Sequence, residues 1–528
     1  MTQTTIDRLF AQWDKPDSPG CALAVIRDGQ IIYERGYGQA TLEYDAPITP
    51  GTIFHVASVS KQFTAFATAL LAQEGKLSLD DDVRQYVPEL PPFGATITPR
   101  HLIHHTSGLR DQWGLVVAAG WRMSDVITTS DILELVQHQQ DLNFAPGAEY
   151  SYCNTGYTLL AQIVERVSGM PFRNFCAQRI FQPLGMHNTH FHDDCEHVVK
   201  NRAYSYFLAN DGHFHNAVLS YSNAGGTSLF TTVEDLAHWD QNFYDAKVGG
   251  QALIDQMHTR GKLNDGTMLS YAFGLSIGEY RGLRIVEHAG GDAGFRCMLT
   301  RFPAQHCTVV VLGNVADMDT GKLARQVADV YLEREFKGSA ATPPPATATA
   351  ENPSTRAGTY FAPETTEILL LEARDGKLIL TGSPDLELIA LEPGRYKPAN
   401  DPTIEYRFYT VDGRSQVHKL RSTGQPIVYH AMPAVHLSED QLTEYAGQYY
   451  SPELSVVYSV RVHEGQLLLQ RRKYGAAPLR PAFADAFKCA TSSGNFDVLF
   501  HRRDDWVSGC QISTGSLRNM RFVRLGSV

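Results

Sequence analysis

At 528 residues the chain is too long for one compact domain and suits three or four, taking about 150 residues for each. Its 46 Lys and Arg stand against 57 Asp and Glu, and the net charge of −11 argues against a protein held to nucleic acid by phosphate contacts. No uncharged apolar run approaches the ~18 residues of a membrane span, and the first residues carry Asp7, Arg8, Asp14, Lys15 and Asp17, so no secretory signal is expected. The eight cysteines (21, 153, 176, 195, 297, 307, 489 and 510) form no CxxC pair and read as reduced thiols of a cytoplasmic protein.

In chain order, apolar runs at 22–26 and 30–33 flank Arg27-Asp28-Gly29, a hairpin signature. Phe63, Phe66, Ala67, Leu70 and Leu71 recur at helical spacing over 59–73, closed by Gly75. A second helix is predicted after Asn154, with Leu159, Leu160, Ile163, Val164 and Val167 on one face and Gly169 after its end. An apolar strand at 283–286 follows late in the region. Strands at both ends with helices between predict an α+β domain with an antiparallel sheet over 1–337. Residues 338–356, with Pro343, Pro344 and Pro345 among Ala, Thr and Ser, predict a semi-rigid linker. Beyond it helical periodicity fades and the chain repeats itself. Ala357-Gly358-Thr359-Tyr360 matches Ala446-Gly447-Gln448-Tyr449, and Asp375-Gly376-Lys377-Leu378 matches Glu464-Gly465-Gln466-Leu467, both at an offset of 89 residues. Two related antiparallel β-barrel or sandwich domains are therefore predicted, 357–437 and 438–528.

Three motifs carry chemistry. Ser58-Val59-Ser60-Lys61 opens the first long helix, where i and i+3 share a face, so the amine can reach the hydroxyl and take its proton. Tyr152-Cys153-Asn154 precedes the second helix; a phenol can pass a proton and an amide can orient a lysine or a carbonyl. His288-Ala289-Gly290-Gly291 ends an apolar strand, placing an imidazole beside glycines that let a substrate approach the backbone. Two further strings imitate these motifs: Tyr221-Ser222-Asn223, and His463-Glu464-Gly465, which a hairpin turn explains. The run His187, His190, His192, Asp193, Asp194, Cys195, His197 fits no standard zinc spacing and reads as a surface loop; no metal or cofactor is expected.

The order Ser/Lys, Tyr/Asn, His-x-Gly resembles that of the penicillin-recognising serine hydrolases, which include class C β-lactamases, D-Ala carboxypeptidases, D-aminopeptidases and related carboxylesterases. Leu102-Ile103-His104-His105-Thr106-Ser107-Gly108-Leu109, Pro183-Leu184-Gly185-Met186, Gly225-Gly226 and Gly294-Phe295 extend the resemblance in the same order, over roughly residues 10–335. It selects Tyr152 over Tyr221. It implies a β-lactamase/transpeptidase-like catalytic domain followed by two small barrels, as in bacterial D-aminopeptidases, which this sequence resembles most. It implies Ser58 as nucleophile, Lys61 as base, Tyr152 as proton donor to the leaving group and Asn154 as a positioning and substrate-binding group. The oxyanion would rest on backbone N–H groups of Ser58 and Gly291, beside Gly290. His288 stands where many relatives have lysine and is expected to give a weaker, pH-dependent positive charge. In the D-aminopeptidases a loop of the last barrel shapes recognition of a free amine. The corresponding stretch here, 471–481, is shorter and basic, making Arg471, Arg472 and Lys473 candidate substrate-binding residues that would repel an ammonium and attract a carboxylate. The expected substrate is a small molecule or short peptide with D-residues. Carboxylesterase, D-Ala carboxypeptidase or weak β-lactamase activity, and an idle penicillin-binding protein, stay open. So does the oligomeric state, with a homodimer among the candidates.

Overall fold

Strand β1 (Cys21–Arg27) reads CALAVIR and is buried almost throughout, the composition of a strand covered on both faces. It turns at Asp28-Gly29 into β2 (Gln30–Tyr37) and pairs on its other edge with a strand that arrives much later in the chain. The structure is a computed structural model and describes residues 2–337, 351–401, 404–421, 425–491 and 494–526. Of the predicted linker only 351–356 falls among them, with a 3-10 turn at Pro353–Thr355; the rest lies outside the described residues. The late strands are β3 (Ser276–Tyr280), β4 (Leu283–Asp292), β5 (Phe295–Phe302) and β6 (Cys307–Gly313), giving one antiparallel sheet in the order β3-β4-β5-β6-β1-β2. The predicted antiparallel sheet with helices between its two ends is what the chain forms.

One face of the sheet is closed by helices Thr2–Phe10 and Thr320–Tyr331, whose Ile6, Phe10, Leu323 and Val327 join Leu23, Val25, Val309 and Val311 in one core. The other face takes helix Val233–Asp245. There Arg301 on β5 meets Asp240 at 2.5 Å, Thr308 donates to the same carboxylate oxygen at 2.8 Å, and both charged groups are buried. The helix predicted at 59–73 runs from Ser60 to Gln73 (α1) and is buried on nearly every side. The second runs Asn154–Ser168 (α2) and ends at Gly169 in the left-handed conformation.

The chain packs into two compact units. The first holds residues up to 107, 123–133 and 152–337; the second holds 108–122, 134–151 and 351 onward. The sequence predicts a single domain over 1–337, and the two short segments depart from that expectation for a physical reason. Arg110 and Glu453, both fully buried, form an ion pair inside the second unit, and the Glu453 carboxylate also accepts from the Gln140 N–H at 3.0 Å. Arg518 adds a two-pronged pair with Glu149. Such long-range partners leave no periodic trace in a sequence.

The remainder of the second unit is two closed barrels of eight antiparallel strands each, spanning Gly358–Ala362 to Ile427–Met432 and Gly447–Ser451 to Met520–Arg524. The 89-residue offset reappears in space. Strands Glu367–Arg374 and Lys377–Leu380 correspond to Val456–His463 and Gln466–Gln470, with Asp375-Gly376 and Glu464-Gly465 as left-handed two-residue turns. Tyr360 donates to the Arg356 carbonyl in one barrel, and Tyr449 to the Tyr445 carbonyl in the other. His463 sits at such a hairpin, as the turn reading required. Among the described residues no helix is long and apolar enough to cross a membrane.

Removing one partner of a buried ion pair strands the other in low dielectric. Asp240→Ala should therefore destabilise the first unit by about 3–5 kcal/mol, seen as a lowered Tm and a lower urea midpoint than Asp240→Asn.

Candidate active site

The site is assembled within the first unit from four pieces of chain. Ser58 lies in a 3-10 turn, Ala57–Val59, that runs directly into α1, so a helix N-terminus stands behind its hydroxyl. Ala57 adopts φ 47°, the left-handed region that alanine rarely occupies. The turn is braced by Ser60, which donates to the Ala57 carbonyl and accepts from the Leu229 N–H at 3.0 Å. One turn along α1, the fully buried Lys61 brings its Nζ to 3.0 Å from Ser58 Oγ. The same amine donates to Asn154 Oδ1 at 2.8 Å and to the Gly226 carbonyl at 2.6 Å. Asn154 is supplied by the first residue of α2. Gly226 is supplied by a loop whose Gly225 has φ 110° and would drive a β-carbon to 2.3 Å from the Tyr157 carbonyl, so only glycine fits there.

Tyr152 lays its ring 4.7 Å from Lys61 Nζ, with its edge still open to solvent. His105 packs against that ring at 4.3 Å between centroids, against Tyr271 at 4.7 Å and against Tyr157 at 5.1 Å, while its Nδ1 accepts from the Cys153 N–H at 3.0 Å. Both ends of the Tyr152-Cys153 segment are thereby fixed by one imidazole.

On β4, alternation sends His288, Gly290 and Asp292 to one face. A β-carbon on Gly290 would lie 2.3 Å from the Val56 carbonyl, so this glycine lets the strand meet the turn carrying Ser58. His288 is buried; its Nδ1 contacts the Ala289 carbonyl at 2.6 Å and its Nε2 the Tyr271 hydroxyl at 2.9 Å. A carbonyl only accepts, so Nδ1 carries the proton and Nε2 receives the one from Tyr271. Burial, with the Lys61 charge second, lowers its pKa to about 4. The positive charge expected of His288 is therefore absent at neutral pH: the imidazole is a neutral acceptor pinned by a phenol. Further along the same face of the strand, Asp292 accepts from Thr227 Oγ1 at 2.7 Å.

This geometry accompanies a likeness to known proteins. The family described as Beta-lactamase matches residues 6–332. The chain belongs to it. Penicillin-binding protein 4* of Bacillus subtilis (strain 168) is 31% identical over 316 residues, 57% of this chain and 69% of that protein. A D-aminopeptidase of Cereibacter sphaeroides is 24% identical over 530 residues, 96% of each chain, so the likeness continues through the barrels. Among solved structures, an octameric penicillin-binding protein homologue from Pyrococcus abyssi superposes with a TM-score of 0.55 at 24% identity, covering 81% of this chain and 99% of its own. It shares the fold; its assembly is an octamer, unlike the dimer considered above for this chain.

Of the residues picked out from sequence, Ser58, Lys61 and Asn154 are joined by hydrogen bonds, Tyr152 covers them, and Gly290 abuts their turn. Gly291 follows on the same strand, exposed. Tyr271 and His105 join the network without belonging to any of the three motifs, while Thr227 and Asp292 form a separate hydrogen-bonded pair with Tyr221 and His55 around them. Asp292 is legible as the next inward position after His288 and Gly290; Tyr271 lies in a loop and gives no signal. Tyr221, the imitating tyrosine, begins a short parallel bridge with Ile127 and hydrogen-bonds Asp292 instead.

Arg471, Arg472 and Lys473 belong to the second unit. The Arg471 guanidinium is buried there, 4.3 Å over the Phe496 ring and 4.5 Å over Tyr474, with Thr491 Oγ1 at 3.3 Å. Arg472 is exposed, and Lys473 lies 5.5 Å over Trp121. The stretch 471–481 is also less loop than expected, because strand Ala476–Phe483 takes its second half. Nor is the His-rich run all surface loop. His190–Phe191 is a strand paired with Leu229–Thr231, His192 is buried, and among the described residues no group of three or more His, Cys, Asp or Glu is placed to hold a metal ion.

His55, His104, His192 and His288 are buried with pKa values lowered to about 3, 4, 4 and 4, chiefly by desolvation. The unfolded chain binds more protons there below about 6.5, so stability should fall as pH drops from 6.5 towards 4; thermal melts across that range measure it. Gly290→Ala should force the Ser58 turn away from β4 and slow covalent labelling of Ser58 about 100-fold, with secondary structure retained by circular dichroism.

Proposed function

We propose that this chain is a serine hydrolase that cleaves amide bonds of small D-amino-acid amides or peptides through an acyl-enzyme on Ser58. The observation that carries the reading is the Lys61 amine, 3.0 Å from Ser58 Oγ while anchored to Asn154 and Gly226. The charged amine donates to all three oxygens; once it loses a proton, two fixed acceptors can keep its two N–H groups and its lone pair can turn to the serine, the arrangement a general base needs.

In the forward step Ser58 Oγ bonds to the substrate carbonyl carbon as its proton passes to Lys61. The carbonyl oxygen takes the negative charge, held by the backbone N–H groups of Ser58 and Gly291. The C–N bond then breaks, and the leaving nitrogen takes a proton through Tyr152, which shares the network with Lys61. Water, deprotonated by the same pair, attacks the ester; the acid leaves and Ser58 regains its proton. His288, neutral and held by Tyr271, donates no charge and instead shapes the leaving-group side. The D-residue preference is supported by the 24% identity to a D-aminopeptidase over nearly the full length of both chains. A reducing compartment suits its eight free cysteines, seven of them buried.

Ser58→Ala should lower kcat on D-alanine p-nitroanilide by about 10⁴-fold or more and abolish labelling by a fluorophosphonate probe. Full activity in that variant, or faster turnover of L- than D-alanine p-nitroanilide by the wild type, would sink the reading.

A further inference from the structure

Asp292 is a charged group on the catalytic face of β4 that the acyl-transfer chemistry does not use. It follows Gly290 by two residues, about 7 Å along the strand, and it is adjacent to Gly291, whose N–H the proposed oxyanion would use. Its carboxylate is held rather than neutralised. Thr227 Oγ1 donates to Oδ2 at 2.7 Å, and the Tyr221 hydroxyl adds a second hydrogen bond. The charged-type neighbour nearest to it is His55 at 4.0 Å, an imidazole that burial keeps neutral. Among the described residues no lysine or arginine lies within ion-pair distance of Asp292. Burial raises its carboxyl to about 6, which leaves it ionised at neutral pH.

The carboxylate lines a cleft of about 670 Å³ together with Gly291, Tyr221, Phe207, Val218 and Met123. The cleft has room for an aminoacyl group, and its other walls are largely apolar. Lys61 and Arg296 favour the Asp292 charge through space but neither pairs with it directly, so a ligand cation set against the carboxylate would supply the direct contact it lacks. When a carbonyl oxygen sits on the Gly291 N–H, the α-nitrogen of the same residue is only two bonds from that oxygen's carbon, and Gly291 borders the cleft that Asp292 lines. Arg296 also borders the cleft, but it pairs across the sheet with Gly291, so its side chain leaves from the opposite face to His288, Gly290 and Asp292.

We infer that the Asp292 carboxylate receives the free α-ammonium of the residue that acylates Ser58, making the site selective for substrates with an unblocked N-terminal amine. This rests on the acyl-transfer reading above. It places amine recognition in the catalytic unit itself and needs no contribution from the basic stretch at 471–473.

The test compares wild type, Asp292→Asn and Asp292→Glu on D-alanine p-nitroanilide, N-acetyl-D-alanine p-nitroanilide and p-nitrophenyl butyrate, with fluorophosphonate labelling of Ser58 in each. Wild type should prefer the free amine to the acetylated substrate. Asp292→Asn should lose about 30-fold in kcat/KM on the free amine, mostly through KM, against less than about 3-fold on the butyrate ester. Asp292→Glu, which keeps the charge, should restore much of the preference. Equal losses on all three substrates would make Asp292 a brace for the Thr227 loop and overturn the inference. So would an unchanged preference in Asp292→Asn, or a wild type indifferent to acetylation. Failure of wild type to label at Ser58 would instead bring down the acyl-transfer reading, and this inference with it.

Discussion

A buried lysine amine with its hydrogen bonds met by three oxygens is the constraint around which the first unit is arranged. Lys61 is fully buried, and a polar nitrogen taken from water without partners would cost several kcal/mol. Its partners come from three places: the hydroxyl one turn back on its own helix, the amide at the start of α2, and a carbonyl in the Gly225-Gly226 loop. Each must arrive within hydrogen-bond distance, which fixes how α1 and α2 approach and why the loop carries two glycines. The rings of Tyr152 and Tyr157 present their faces to the same nitrogen, and His105 packs against both rings.

The antiparallel sheet contributes the other wall through a single strand. Because side chains alternate along β4, one face carries an imidazole, a glycine and a carboxylate in sequence, and these do three different things. The glycine admits the nucleophile's turn, the imidazole closes the site as a neutral group tied to Tyr271, and the carboxylate stands beyond them in the cleft. Burial decides the charge of each. It removes the charge from His288, where desolvation outweighs the ring's ordinary basicity, and only weakens it on Asp292, which keeps two hydrogen-bond donors.

The second unit shows how a duplicated β-rich sequence becomes a pair of closed barrels, with equivalent strands, turns and tyrosine hydrogen bonds in each copy. Closure removes exposed sheet edges, which two short eight-stranded sheets would otherwise present. The unit also recruits 108–122 and 134–151 through the Arg110–Glu453 pair. The Arg471 guanidinium stacks on two aromatic rings of its own unit, a packing role rather than an open charge.

Whatever depends on local spacing was legible in the amino-acid order. An i, i+3 pair on a helix put Ser58 beside Lys61, period-two alternation aligned His288 with Gly290, and turn residues at a constant offset announced two equivalent β domains. Those relations are set by 3.6 residues per turn and by the pleat, and they survive without knowledge of the rest of the chain. Partners brought from a distance were decided by packing: Gly226 and Asn154 on Lys61, Tyr271 on His288, Thr227 on Asp292, and Glu453 on Arg110. Packing also decided charge, because desolvation is a property of surroundings and no single residue's position in the chain reports it. A lone histidine in a motif predicts an ionisable group; only the packed site makes it a neutral one.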